Sequence, residues 1–126
     1  SPEMDPSAEC FDPDVLDSRG RHDSLPLLRR TLELAGLEGT VVPIIAATQH
    51  IGPYWQTPVT FAFIDAAHDP YGVKRDYETW SPWVTGYLAF HDTEIVGIAA
   101  QVERAEREGF KLVEHVESLK ILERTK

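Results

Sequence analysis

Four polar side chains stand directly behind two apolar runs, and their types suit acid–base or metal chemistry. The first run, Phe61-Ala62-Phe63-Ile64, leads into Asp65-Ala66-Ala67-His68; the second, Leu88-Ala89-Phe90, leads into His91-Asp92. As neighbouring strands, about 4.8 Å apart, these runs would bring Asp65, His68, His91 and Asp92 into one small volume. Two carboxylates and an imidazole suit a hard divalent cation. A further imidazole, with an ordinary pKa of about 6.5, can accept a proton at neutral pH. The same residues also have plainer uses. Asp92 can cap a following helix, Asp65 can satisfy loop amides, and His91 can sit in the core against a backbone partner. Spacing alone leaves both readings open.

The elements that must position these residues follow from periodicity. Leu25, Leu28, Leu32 and Ala35 share one helical face, with Asp23 or Ser24 as cap, Pro26 in the tolerated first turn and Gly36 as the stop. Thr40 to Ile45 and Val59 to Ile64 are short β-branched or aromatic runs that predict buried strands. Gln49 to Pro58 holds two prolines and a glycine, so a short helical turn or irregular loop is expected. Asp69-Pro70 is a cap followed by a favoured first-turn proline, and Val73, Tyr77 and Trp80 continue it as a helix over about 70–80. Tyr87 to Phe90 predicts a third strand. Ile95, Ile98, Ala99, Val102 and Ala105 predict a long helix stopped by Gly109. Phe110–Val113 and Ser118–Leu122 predict a hairpin. Strands alternating with helices imply an α/β fold, doubly wound and Rossmann-like, with a mostly parallel sheet and a C-terminal antiparallel hairpin. Trp80, Trp83, Tyr77 and Phe90 fall at core periodicity. His22, His50 and His115 lack partners at useful spacing, and the charges of 103–108 form a solvated face.

With 126 residues the chain has room for one domain. Its net charge is −9, which disfavours a phosphate-neutralising surface, so neither nucleic acid nor an anionic membrane is an expected partner. One cysteine, Cys10, excludes an internal disulfide or a Cys-rich zinc site. With no apolar run of membrane length and no signal-peptide pattern, a cytoplasmic location is expected. Residues 1–22 read as an acidic segment containing one short strand candidate, Ala8 to Phe11, and residues 23–126 as a partial α/β domain. Glu3, Asp5, Glu9, Asp12, Asp14, Asp17 and Asp23 crowd the start of the chain among three prolines, a composition that sustains no long helix.

The stretch from Phe63-Ile64-Asp65-Ala66-Ala67-His68-Asp69-Pro70-Tyr71-Gly72-Val73-Lys74-Arg75-Asp76, through Trp80, to Gly86-Tyr87-Leu88-Ala89-Phe90-His91-Asp92 resembles the class I S-adenosylmethionine-dependent methyltransferases. It is most similar to the small-molecule and sugar O-methyltransferases, whose pattern runs F-I-D-G-x-H-x-Y-x-x-V-x-x-D, then W, then G-G-x-h-x-x-H-D. The resemblance spans about residues 8 to 124 and is most specific over 61–92. It implies S-adenosylmethionine as cofactor, Mg²⁺ as a candidate metal, and a small-molecule or sugar hydroxyl as acceptor. It implies Asp65 and Asp92 as metal ligands, with His91 standing where some relatives carry a metal-binding acid. His68 matches the proposed base, Asp12 the acid that holds the cofactor ribose, and Ala47-Thr48 the region flanking the adenine. The mechanism implied is direct displacement at the sulfonium methyl.

The family's glycine-rich turn, which follows its first strand, has no counterpart here. The chain is therefore expected to correspond to the C-terminal part of that fold, without the first βα unit, and to bind cofactor weakly. A missing central strand would leave sheet edges open, and open edges invite self-association. A non-catalytic interaction domain on the same scaffold is the alternative reading. A metal-dependent hydrolase built on Asp65, Asp92 and His68 is a third, for which the sequence offers no further ligand.

Overall fold

The computed structural model describes residues 23–126, so the strand candidate at Ala8 to Phe11 and the ribose-site candidate Asp12 lie outside the described residues. The chain divides into two compact units, one reaching to Ile45 and the other comprising Ala46–Lys126.

In the first unit, α1 (Leu25–Leu34) begins where Asp23 Oδ1 accepts the Leu25 amide at 3.1 Å, with Pro26 in its first turn. It ends in a Schellman motif. The Gly36 amide bonds to Glu33 O and the Leu37 amide to Leu32 O, a geometry that requires the left-handed backbone of Gly36 (φ 69°). Of the apolar face predicted for this helix only Leu32 is buried; Leu28 and Ala35 are exposed. The strand expected over Thr40 to Ile45 does not form: Val41 to Ile45 carry no ladder, and Val42 and Ile45 are largely exposed. A buried parallel strand needs a neighbour, the four-stranded sheet described below does not include these residues, and Pro43 removes one of their donors.

In the second unit the order is α2 (Thr48–Ile51), a 3₁₀ turn (Gly52–Tyr54), β1 (Val59–Ile64), α3 (Pro70–Trp80), a second 3₁₀ turn (Ser81–Trp83), β2 (Val84–Phe90), α4 (Val96–Arg107), β3 (Phe110–Val116) and β4 (Leu119–Arg124). The sheet order is β1-β2-β4-β3. The pair β1/β2 is parallel, with Ala62 opposite Leu88 and Ile64 opposite Phe90, and α3 is its crossover. The hairpin β3/β4 inserts antiparallel to β2, setting Leu122 opposite both Leu88 and Leu112. The α/β architecture and the antiparallel C-terminal hairpin agree with the sequence pattern.

Period-2 alternation decides which side of the sheet is packed. Ile64, Leu88, Phe90 and Leu122 belong to the buried cluster, joined by Val73 and Tyr77 from α3 and by Ile98, Val102 and Ala105 from α4. On the opposite face Phe61 and Phe63 are each 52% exposed and Tyr87 40%, so β1 is buried on one side only, where the sequence predicted a fully buried strand. The strand is also a sheet edge among the described residues. The two covering helices meet at their first turns, where a side chain on Gly97 would press within 3.1 Å of Pro70 Cα.

Two polar clamps tie helices and strands together. Tyr77, fully buried and stacked 6.3 Å from Phe90, donates its hydroxyl hydrogen to Glu108 Oε1 at 2.7 Å, while Arg104 lies over its ring and pairs with Glu78 and Glu108. Arg124 reaches from β4 to the carbonyls of Val84 and Ser81 and covers the Phe110 ring at 4.2 Å.

Leu88→Ala should destabilise the protein by about 2–5 kcal/mol, measured as a shift in urea midpoint at constant m-value, because the site is walled by strands on both sides and collapses poorly. The Tyr77 phenol is raised from its ordinary value of 10.0 to about 12, first by burial and then by its bond to Glu108. A phenol that holds its proton more tightly when folded contributes stability that is fully present below pH 10 and is lost as pH rises through 12. Alkaline titration of stability should therefore show a decline over that window, and Tyr77→Phe should flatten it.

Candidate functional site

Parallel pairing places the carboxyl ends of β1 and β2 side by side. The Ile64–Phe90 register continues one residue further through the His91 amide to Ile64 O, at 3.5 Å, so Asp65 and His91 leave the sheet next to each other. Asp92 then turns sharply, with φ 57°, and His68 reaches back from the loop ahead of α3. That loop ends at a strong cap: Asp69 accepts the Gly72 amide at 2.9 Å, a bond that pulls its carboxyl below the usual range.

The four residues singled out from the sequence do converge. His68 Nε2 lies 3.0 Å from Asp92 Oδ2, and His91 Nδ1 lies 3.2 Å from the same oxygen and 3.3 Å from Asp65 Oδ1. One ligand atom from each of Asp65, His68 and Asp92 falls within 4.8 Å of the others, a spacing that one cation could bridge. His68 completes this triangle, whereas His91 stands beside it with Nδ1 turned toward both carboxylates. All four side chains are partly exposed.

Ionised carboxylates only accept, so an imidazole nitrogen that bonds to Asp65 or Asp92 must do so with its own hydrogen. Asp92 Oδ2 is shared by two imidazoles, which leaves its Oδ1 to be satisfied from solvent or by a ligand. The cap reading of Asp92 does not hold. The cap position of α4 is Ile95, with no side-chain bond, and Asp92 contributes only its carbonyl, which accepts the Ile95 amide at 3.0 Å.

Next to the cluster runs an open groove of about 500 Å³, lined by Ala46, Ala47, Ala66 and Ala67 together with Thr48, Gln49, Asp69, Tyr71, Gly72, Arg75 and Asp76. Thr48, at the start of α2, donates its hydroxyl to Asp76 Oδ1 at 2.7 Å, and Asp76 is 9% exposed. A smaller recess of about 120 Å³ joins Thr48 and Asp76 to Phe63, Trp80 and Asp65, so Asp65 borders both this recess and the histidine cluster. Trp80 is held edge-to-face at 5.2 Å by Trp55. The structure thus brings Ala47 and Thr48 to the same end of β1 as the acids and histidines. Asp76 was quoted in the sequence motif without a role. Its signal was nonetheless present, as an acid on the inward face of a helix between Val73 and Tyr77.

Among the described residues no helix is long and apolar enough to cross a membrane. A family model described as a methyltransferase domain matches residues 4–93, a span that contains the whole acid–histidine cluster and the open groove.

Asp76→Ala should lower stability by about 1–3 kcal/mol through loss of the bond to Thr48. Asp76→Asn, whose amide oxygen still accepts, should recover most of that, as read from thermal unfolding of the pair.

Proposed function

The chain belongs to the methyltransferase-domain family, and from that premise we propose that it is an S-adenosylmethionine-dependent O-methyltransferase that acts on a hydroxyl of a small molecule or sugar. The observation that carries the reading is the placement of His68 against two carboxylates at neighbouring strand ends, beside an open groove of about 500 Å³.

The residues present suit both groups the family implies. Two carboxylates with unshared oxygens form a hard donor set for Mg²⁺, with water filling the remaining positions. The open groove pairs four alanines with polar side chains such as Gln49, Asp69 and Arg75, a lining that can take an apolar base edge and a polar ribose, with Thr48 held by Asp76. Asp65 and Asp92 would hold the cation, Ala47 and Thr48 would flank the adenine, and Asp12 would bind the ribose hydroxyls.

When bound, S-adenosylmethionine supplies an activated methyl group, and Mg²⁺ supplies a Lewis acid that lowers the pKa of the acceptor hydroxyl. The chain's own residues then have defined tasks. Asp92 Oδ2, 3.0 Å from His68 Nε2, would favour the tautomer that carries its hydrogen on Nε2 and leaves Nδ1 basic. Nδ1 would then take the acceptor's proton, leaving an oxygen nucleophile and an imidazolium stabilised by Asp92. His91, with Nδ1 3.2 and 3.3 Å from the two carboxylates, would help to hold them side by side. Since the methyl donor is activated already, alignment of the acceptor oxygen supplies much of the rate enhancement.

The uncharged β1, a sheet edge among the described residues with Phe61 and Phe63 half-exposed, favours a second reading: a non-catalytic domain of this family that associates through the sheet.

Calorimetric titration with S-adenosylhomocysteine and Mg²⁺ separates the two. Binding that weakens on removal of Mg²⁺, and loses its Mg²⁺ dependence in Asp65→Ala, supports the methyltransferase. A flat trace together with a dimer by light scattering supports the association domain.

A further inference from the structure

The sharpest turn in the site is the left-handed Asp92, at φ 57°. Aspartate adopts that conformation more readily than most residues with a Cβ, as an isolated residue, and the bonds around it show what selects it here. Upstream, the ladder bond from His91 to Ile64 sets the direction of entry. Downstream lies Thr93, 6% exposed, whose amide and hydroxyl both converge on one acceptor, the Ser118 carbonyl, at 3.0 and 2.9 Å. Both lone pairs of that carbonyl are then engaged. A third bond, from the Ile95 amide to Asp92 O, closes the turn.

Ser118 belongs to the two-residue loop Glu117-Ser118 between β3 and β4, and that loop is itself constrained. Val116 faces Leu119 across the hairpin, Glu117 carries φ 53°, and its carbonyl meets His115 Nε2 at 2.9 Å. Two left-handed residues, Asp92 and Glu117, thus flank a single doubly used carbonyl. The hydroxyl of Thr93 is buried and spent on this bond.

We propose that Thr93 is a positioning residue, which latches the β3–β4 turn and thereby holds the Asp92 carboxylate between His68 and His91. The chemical consequence rests on reading Asp92 as a cation ligand. The latch itself is a statement about the Asp92 backbone. Loss of the hydroxyl lets the turn relax toward an ordinary right-handed backbone and swings the carboxylate off both imidazoles.

The test pairs two readouts on the whole chain. The first is Asp92 backbone geometry by NMR, from the HN–Hα coupling and the Cα and Cβ shifts; the second is affinity for Mn²⁺ as a paramagnetic probe. Thr93→Val, which keeps shape and loses the hydroxyl, should erase the left-handed signature and weaken Mn²⁺ binding about 10-fold or more, as lost support of a ligating carboxylate does. Thr93→Ser should restore both. Thr93→Val retaining the left-handed signature overturns the proposal. Wild-type protein that binds no Mn²⁺ while Thr93→Val still shifts Asp92 sinks the cation reading and leaves the latch standing. Should Thr93→Val not fold, the Thr93 hydroxyl proton in the wild type decides the matter: a resolved, slowly exchanging hydroxyl resonance supports the latch, and a hydroxyl proton in fast exchange with solvent overturns it.

Discussion

A parallel ladder puts like ends of two strands together, and in this chain the one between β1 and β2 fixes where all the chemistry can lie. With Ile64 opposite Phe90, the next residues along each strand are Asp65 and His91. A slip of one residue would turn Phe61 and Phe63 inward and lift Ile64 out. The buried side of the sheet therefore protects the geometry of the polar end.

Much of this was legible in the sequence because the signals were local. The cap Asp69 with Pro70, the stripe Ile98-Val102-Ala105 and the polar residues trailing two apolar runs each depend on a few neighbours, and each reappears in the structure. What the sequence does not carry is the identity of a partner. Val41 to Ile45 has every local mark of a strand and forms none, because strand formation is settled by hydrogen bonds from elsewhere. The exposed faces of α1 and β1 reflect the same limit: periodicity states that a face is apolar and not what will cover it. Thr93 was invisible for a different reason, since its acceptor is a main-chain carbonyl 25 residues away that any residue could supply.

Electrostatics gives the cluster its coherence. On a chain of net charge −9, two carboxylates at adjacent strand ends would repel each other, and two imidazoles with ring nitrogens 3.0–3.3 Å from them stand where they can offset that repulsion. The arrangement is partly solvated, so such contacts orient more than they stabilise. The pair between Tyr77 and Glu108 behaves oppositely: the phenol is buried, its proton is held into strongly alkaline conditions, and the contact stitches α3 to the end of α4.

The strand order β1-β2-β4-β3 also bears on the birth of the protein at the ribosome. β4 is synthesised after the other three strands yet lies between two of them. Until it emerges, β2 has one open edge, β3 has no partner, and Leu88 lacks the neighbour that buries it. The βαβ part can form early, but the finished sheet is a late event that waits on a handful of residues around Leu122 and Arg124. During that interval the second edge of β2 lies open, and β4 is the strand that closes it.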